Sequence, residues 1–284
     1  MKLVIIAMLL SEAFEMYRLD CIVFQNQSKK TEENHHVCLR SLICYFGDVP
    51  VQSLDFEKVR NWKLSLDANR SPSTVRNYVI KLRVVLAHLR KKSYDVLDPD
   101  LIPVPKRVDK APDYLTKEEV SRLIASTKRI KNKAIVSLLY ASGVRISELC
   151  SMDRGSIREN KFTVTGKGGK SRLCFIDDRT RTLLDLYLET REDNNPALFL
   201  TDSKERITPG VVQETFKSIR KASGIDKAHP HALRHSFATD LMENGMHIYQ
   251  LQRLLGHSNI QTTAMYLHVA DPQLAEAYRL HHAI

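Results

Sequence analysis

The amino-acid sequence predicts a mainly α-helical protein with one small antiparallel β-hairpin, divided into two domains. Over most of the 284 residues, apolar side chains recur at three- and four-residue spacing, the period of an amphipathic helix. Only one pair of segments alternates with period two, and it flanks a glycine-rich turn. A proline-rich, charged stretch near the middle interrupts both patterns and predicts a linker.

The first domain is expected to span residues 1–104 as a set of helices. Its strongest element begins at Ser71-Pro72, because serine is a good N-cap and proline is tolerated in a first helical turn. The apolar stripe that follows predicts a long helix with one buried face. Its members are Val75, Tyr78, Val79, Leu82, Val85, Leu86 and Leu89. Ser53 is expected to cap the preceding helix, which carries Val59 and Trp62.

The N-terminus offers two interpretations. Lys2 precedes an apolar run, residues 3–10, that resembles the short apolar core of a signal peptide. No small-residue cleavage site follows, and Glu12, Glu15 and Arg18 continue a helical pattern, so we interpret the run as the start of the first helix. No run reaches the eighteen or so apolar residues needed to span a bilayer. We expect a soluble, cytoplasmic protein with no membrane partner.

Residues 105–113 form the predicted linker, and the second domain is expected to span residues 114–284. It opens at Thr116, which with Glu119 matches a capping box. Segments 161–165 and 171–176 alternate as strands and predict the hairpin. Helices are expected to follow, ending in a short amphipathic tail helix after Asp271-Pro272.

Charge and cysteine content narrow the class of protein. The chain carries 43 Lys+Arg against 33 Asp+Glu, a net charge of +10 that favours an acidic polymer or surface as partner. The five cysteines form no C-x-x-C pair and are odd in number, which argues against a zinc or disulfide framework. Each lies among apolar neighbours, so we expect buried thiols in a reducing compartment.

Residues 231–266 carry the densest set of chemically active side chains. His231, Arg234, His257 and Tyr266 fall within this short, apparently helical stretch. In a helix starting near Pro230, His231 and Arg234 are expected to share a face. Ser258 is expected to cap the next helix and to place Tyr266 about two turns into it.

Two cations upstream of this stretch, Arg145 and Lys167, complete a set of side chains suited to breaking a phosphodiester without metal. Arg145 and Arg234 can each bind two phosphate oxygens through a planar fork and so neutralise the charge that develops during attack. Tyr266 can attack phosphorus if neighbouring cations and imidazoles assist loss of its proton. Lys167, on the hairpin turn, suits protonation of the departing sugar oxygen. A phosphotyrosine link preserves bond energy for resealing, so DNA breakage and rejoining is the chemistry we expect.

Several of these residues have simpler interpretations. His231 and His235, with His229 nearby, can be a metal pair, although no acidic or Cys partner is evident and no metal or cofactor is expected. Lys170 shares the hairpin turn with Lys167. A single tyrosine on a helix is usually a packing residue.

Basic residues on two predicted helix faces are candidates for DNA contact, the alternative being an ordinary solvated face. These residues are Arg76, Lys81, Arg83, Lys217, Arg220 and Lys221.

The second domain resembles the tyrosine recombinases of the phage integrase family, most of all the compact Xer type. The resemblance is strong over residues 114–270 and rests on length and helical pattern before that. The family signature runs Arg, Lys, His-x-x-Arg, His, Tyr. Here those positions are Arg145 in Ser-Gly-Val-Arg-Ile-Ser-Glu-Leu, Lys167 in Gly-Lys-Gly-Gly-Lys, His231 and Arg234 in His-Ala-Leu-Arg-His, His257 in Leu-Gly-His-Ser, and Tyr266.

The resemblance implies a function and partners. It implies a helical core-binding domain (residues 1–104) and a catalytic domain (114–284) that clamp double-stranded DNA. It also implies a 3′-phosphotyrosine intermediate, a Holliday junction and a homo-tetramer on two DNA sites, with possible exchange of the tail helix. A partner recombinase or a DNA translocase is a further candidate. The Xer type implies resolution of chromosome or plasmid dimers.

Three alternatives stay open at this point. The first is an integrase or excisionase of a phage or other mobile element, although no extra N-terminal module is seen. The second is a type IB topoisomerase, which efficient relaxation of a plasmid without a target site would indicate. The third is a DNA-binding regulator without the chemistry, which would form no covalent adduct with DNA.

Overall fold

A computed structural model describes residues 7–25, 29–106, 113–166 and 169–267. The tail helix expected after residue 271, most of the linker and Lys167 lie outside these residues. The chain forms two compact units, Met1–Lys110 and Ala111–Ile284. The described residues are mainly helical with one two-stranded antiparallel sheet, which confirms the predicted fold class.

The first unit contains helices α1 (Leu10–Gln25), α2 (Lys29–Phe46), α3 (Phe56–Asp67) and α4 (Pro72–Lys91). Ser71 caps α4, and the whole predicted stripe of that helix is buried, which confirms the interpretation of both patterns. The α4 stripe packs in one core with Trp62 of α3 and Leu10 of α1, both of which are fully buried.

Two predictions in this unit are wrong. Helix α1 begins at Leu10, because residues 8–10 instead pair with residues 49–51 through a bridge between Leu9 and Pro50. Helix α3 begins after Asp55, whose side chain accepts a hydrogen bond from the Lys58 amide, so Ser53 is not its cap.

Within its described residues, the second unit contains eight α-helices and the hairpin. The helices are α5 (Lys117–Ser126), α6 (Ile130–Ser142), α7 (Ile146–Ser151), α8 (Asp178–Glu189), α9 (Pro209–Ser223), α10 (Pro230–Glu243), α11 (Ile248–Leu255) and α12 (Gln261–Ala264). Strands β1 (Lys161–Thr165) and β2 (Ser171–Phe175) pair in the register Lys161 to Phe175 and Thr165 to Ser171. The capping box of Thr116 and Glu119 is present at the start of α5.

The described residues of this unit form two hydrophobic clusters. The larger one is built around α6, whose Ile135, Leu138 and Leu139 are fully buried. A small separate cluster joins α10, α11 and the segment after α12, and it contains Ala238, Met242, Leu251, Leu255 and Tyr266. A tyrosine predicted to act on substrate is therefore also a core residue.

Other sequence expectations can be compared with the described residues. Four of the cysteines are buried as expected, but Cys44 is exposed. No helix within the described ranges has both the length and the apolar character that a bilayer crossing requires.

Candidate active site

An open cavity of ≈ 1060 Å³ lies between the hairpin, α7, α11 and the start of α12. Arg145, Arg172 and His257 line it together with Gly166 and Lys170 at the hairpin turn. Arg145 and His257, two of the predicted catalytic residues, thus face one space, although they are far apart in the chain.

Arg145 is placed by the sharp turn between α6 and α7. Gly143 ends α6 with φ +60°, and Arg145 is the N-cap of α7. Its Nη1 donates to Glu148 Oε1 at 2.9 Å and its Nη2 to the Gly256 carbonyl at 3.5 Å. The side chain is 33% exposed and lines the cavity, so the guanidinium is held by these two bonds and still partly open to the cavity.

Arg234 is anchored deeply in α10, and only 6% of it is exposed. Its Nη1 donates to the Gly143 carbonyl and its Nη2 to the Leu255 carbonyl, both at 2.5 Å. Burial lowers the pKa of Arg234 to about 10, and the nearby charges of Arg145 and Arg172 add to this effect. The guanidinium remains charged at neutral pH and supports the turns before Arg145 and His257.

His257 follows Gly256, which ends α11 with φ +62°. Its Nε2 lies 3.2 Å from Arg234 Nη2, and its Nδ1 lies 3.0 Å from Thr263 Oγ1. A guanidinium only donates, so Nε2 must accept and the ring proton belongs on Nδ1. Burial, reinforced by Arg234 and Arg145, lowers the pKa of His257 to about 4, in agreement with a neutral ring.

Tyr266 lies just after α12 and is 1% exposed. Its hydroxyl lies 2.6 Å from Nδ1 of His235 on α10. Burial raises the pKa of Tyr266 to about 12, against a smaller lowering by Arg234. Burial also lowers the pKa of His235 to about 4. Both groups are therefore neutral at pH 7, and the hydroxyl is enclosed rather than open to a ligand.

The predicted helix around Tyr266 is wrong in detail. Helix α12 spans only Gln261–Ala264, and Ile260 at its N-cap makes no side-chain cap. Asn259, not Ser258, accepts a hydrogen bond from the Gln261 amide at 2.9 Å, and this turn starts the helix later than expected. Tyr266 consequently lies beyond the helix.

His231 and Arg234 differ in environment although they are one helical turn apart. His231 is exposed, whereas Arg234 is buried. Desolvation by the surrounding protein lowers the pKa of His231, and His229, Arg234 and Arg145 lower it further. Lys167 lies outside the described residues, while Lys170 is exposed beside the cavity.

Some basic residues predicted to contact DNA are already engaged within their own unit. Arg76 donates to the Pro105 carbonyl at 3.1 Å, Lys81 to the Asn34 carbonyl at 2.8 Å, and Arg83 to the Ile102 carbonyl. On α9, Lys217 pairs with Glu214 and Lys221 is exposed, while Arg220 is half-buried.

Two residues of the site, Glu148 and Arg172, escaped sequence reasoning, and His235 was considered only as a possible metal ligand, not as the partner of Tyr266. Arg172 occupies an inward position of β2, where the exposed-buried alternation calls for an apolar side chain. A charged residue at such a position is the signal that was available. Glu148 stands three residues after Arg145, the spacing of a side chain that can reach back to a helix N-cap.

The alternative of a histidine metal site gains no support from the described residues. Within them, no three His, Cys, Asp or Glu side chains come close enough together to hold a metal ion. His229 caps α10 by accepting from the Ala232 amide, and His235 contacts Tyr266, so two of the three histidines have other partners.

Comparison with known proteins identifies the class. A tyrosine recombinase of Thermosipho africanus is 31% identical over 285 residues, covering 95% of this chain and 99% of the relative. XerD of Oceanobacillus iheyensis is 35% identical over 231 residues, covering 76% and 78%. The crystal structure of a XerA recombinase matches with TM-score 0.54 and 25% identity over 97% of this chain and 98% of that one. The Tn1549 transposon integrase has the same fold, with TM-score 0.75 and 21% identity over 94% and 99% of the two chains.

The fold and these relatives make the chain a tyrosine recombinase, an enzyme of site-specific DNA recombination. Residues 113–273 match the phage integrase family, and the chain belongs to that family. The recombinase resemblance and the predicted enzyme class are thereby confirmed.

Proposed function

We propose that this recombinase cuts and rejoins double-stranded DNA through a 3′-phosphotyrosine intermediate and a Holliday junction, in the manner of a Xer protein resolving chromosome or plasmid dimers. The observation that carries the proposal is that Arg145 and His257 line one cavity, with Arg234 buried 3.2 Å behind His257 and Tyr266 just after the next helix, α12. The curated relatives named XerD and XerA support the Xer-like role.

In this mechanism the two arginines bind the non-bridging oxygens of the scissile phosphate. Each is fixed by partners that already exist in the free chain, so little reorganisation is needed when charge develops. His257 is neutral at rest, so it can donate a hydrogen bond without bringing charge into the site, or accept a proton and become charged as the reaction proceeds. His231, exposed and with a lowered pKa, can do the same.

Tyr266 is the proposed nucleophile, and Lys167 the proposed donor of a proton to the leaving 5′ oxygen. Because the hydroxyl of Tyr266 is buried against His235, the segment after α12 must move before attack. We infer that DNA binding and assembly of a homo-tetramer drive this movement, with the tail beyond residue 270 as the link between subunits. The solved XerH recombinase bound to its palindromic difH substrate supports DNA as the substrate class.

The unit Met1–Lys110 is the proposed core-binding domain, separated by the linker at residues 105–113 from the catalytic domain. On α4 the guanidinium of Arg76 and the ammonium of Lys81 are proposed to contact phosphates, as are the cations of α9. A partner recombinase or DNA translocase is a further proposed regulator.

The direct test is capture on a nicked suicide substrate that traps the covalent intermediate. The native protein is expected to form a DNA adduct that survives denaturation, and Tyr266→Phe to form none while still binding DNA. Tyr249→Phe is the matched control, since Tyr249 is exposed on α11. An adduct that persists in Tyr266→Phe would refute the mechanism, and sequencing the captured DNA would identify the target site.

A further inference from the structure

Arg172, a charged residue beside the cavity, donates hydrogen bonds from all three nitrogens of its guanidinium. It stands on β2, just after the hairpin turn, and its side chain is 7% exposed. Its two terminal nitrogens donate to the two carboxylate oxygens of Glu148, each at 2.7 Å. Its Nε donates to the Leu254 carbonyl at 2.8 Å. A lysine has one ammonium and cannot reproduce this fork.

Glu148, which Arg172 holds in place, in turn binds Arg145 through two hydrogen bonds. Its Oε2 accepts from the Arg145 backbone amide at 2.7 Å, and its Oε1 accepts from the Arg145 side chain at 2.9 Å. Burial opposes ionisation of Glu148, but hydrogen bonds from Arg172 and Arg145 hold its pKa at about 2. The three side chains form one continuous set of charge-assisted hydrogen bonds. Arg145 is the exposed end, at 33% against 5% for Glu148.

Arg172 also fixes the segment that leads to His257. Besides bonding the Leu254 carbonyl, it packs against Gly256, where an added Cβ would lie 2.8 Å from Arg172 Cδ. Arg145 in turn donates to the Gly256 carbonyl. The residue immediately before His257 is thus bounded by both arginines.

We propose that Arg172 is a positioning residue of the recombination reaction, which orients Arg145 through Glu148 and holds the Gly256 turn so that Arg145 and His257 meet one phosphate. It touches no substrate in this role and acts through the two residues it supports. The inference rests on the proposed function, because it assigns the same cavity to the scissile phosphate. It also links the strand next to the Lys167 turn to the other end of the site.

The test is the rate of covalent adduct formation by Arg172→Lys under single-turnover conditions. We expect a loss of about 100-fold, because a small misplacement of a phosphate-binding group has an effect of that order. DNA binding should be unchanged. Arg191→Lys is the matched control: Arg191 has a side chain 5% exposed, pairs with Asp193 and lies away from the cavity. It should cleave at the native rate.

A second substrate separates positioning from a general structural effect. Replacing one non-bridging oxygen of the scissile phosphate by methyl removes charge that Arg145 would neutralise. If Arg172 acts through Arg145, the defect of Arg172→Lys should shrink on this methylphosphonate, in at least one stereoisomer. An equal defect on both substrates, or a native rate on the phosphodiester, would overturn the proposal.

If Arg172→Lys does not fold, the double variant Arg172→Gln and Glu148→Gln replaces it, since it leaves no unpaired charge buried. The same reduced defect on methylphosphonate is expected, and a native rate on the phosphodiester would again overturn the proposal. Failure of the native protein to form any adduct would count against the proposed function itself. A native adduct with an unaffected Arg172 variant would count against this inference alone.

Discussion

Tyr266 and His235 hold each other in a neutral pair, with the phenol oxygen 2.6 Å from the imidazole Nδ1. The ring centroids are 5.8 Å apart, and the tyrosine belongs to the buried cluster that includes Leu251 and Leu255. In the free chain the proposed nucleophile is therefore stored in a core, and a hydroxyl that reacts must first leave this position.

Replacing His235 by alanine should make it easier for Tyr266 to leave its buried position. The buried hydroxyl would lose its partner, which costs about 1–3 kcal/mol and favours release of the segment after α12. We expect faster amide hydrogen exchange over residues 261–267 and faster adduct formation by Tyr266. His36→Ala, an exposed histidine of the first unit, is the control. Unchanged exchange in the His235 variant would show that the hydrogen bond does not hold the segment.

The two arginines should differ in what their loss does to the protein. Arg145→Ala removes a partly exposed guanidinium, so we expect a folded protein whose cleavage falls by about 100–1000-fold while DNA binding is retained. Arg234→Ala also leaves the Gly143 and Leu255 carbonyls without a donor, at about 1–3 kcal/mol. Urea denaturation should therefore show a larger loss of stability for Arg234→Ala than for Arg145→Ala. Equal stabilities, or a parallel loss of DNA binding, would contradict this division.

Gly256 and Gly224 offer a matched pair of substitutions. Both have positive φ, +62° and +68°, so alanine strains either backbone by about 1 kcal/mol. Only at Gly256 would the new Cβ also strike Arg172, whereas nothing lies within 4 Å at Gly224. We expect Gly256→Ala to lose stability and cleavage, and Gly224→Ala to lose some stability but keep its cleavage rate. Equal cleavage rates in urea-free buffer would show that the Gly256 turn tolerates displacement.

Stability should fall on mild acidification. The pKa of His235 and that of His257 are each about 4 in the folded chain, against 6.5 ordinarily. Between pH 4 and pH 6.5 these histidines are protonated in the unfolded chain but neutral in the folded one, so acid favours unfolding. The free energy of unfolding therefore has its full value with respect to these groups above about pH 6.5 and decreases as the pH falls toward 4. The urea midpoint should drop over this window. Combining His235→Gln with His257→Gln should flatten the dependence, whereas His36→Gln should not, and an unchanged slope would refute this assignment.

A substrate with a different leaving group can show whether Lys167 or Lys170 donates the proton. A 5′ oxygen leaves poorly without a proton, whereas a sulfur in its place leaves as the thiolate. Lys167→Ala should therefore slow cleavage of ordinary DNA by about 100-fold or more. The cleavage rate of this variant should be restored on a substrate with sulfur at the 5′ bridging position. Lys170→Ala should show neither effect. If the sulfur substrate rescues Lys170→Ala instead, the donor is Lys170.

Elements defined by local patterns could be predicted from the sequence. The α4 stripe is buried in full, because one helix face of apolar residues has few alternatives to burial. The hairpin register follows from two alternating segments around a glycine turn. The α1 start was wrong because the pairing of residues 8–10 with residues 49–51 depends on a distant segment.

The reactive groups of the candidate site could be predicted from the sequence, but the contacts that support them could not. Arg145, Arg234 and His257 are chemically distinctive, and the structure brings them together. The bond from Arg172 to Glu148 joins residues 24 apart, and that from His235 to Tyr266 joins residues 31 apart. Such contacts depend on how α7, α10 and the hairpin pack, which no local period encodes. The burial of Tyr266 has the same cause.

In the small cluster of Ala238, Met242, Leu251, Leu255 and Tyr266, tight packing favours stability but opposes release of the tyrosine. Any substitution that packs this cluster more tightly would raise the melting temperature of the unit and also lengthen the time that the tyrosine stays enclosed. Variants selected only for heat resistance should therefore be slower enzymes when the change falls here, and not when it falls in the larger core around α6. Under the proposed mechanism, the packing of these five side chains would limit the rate of recombination.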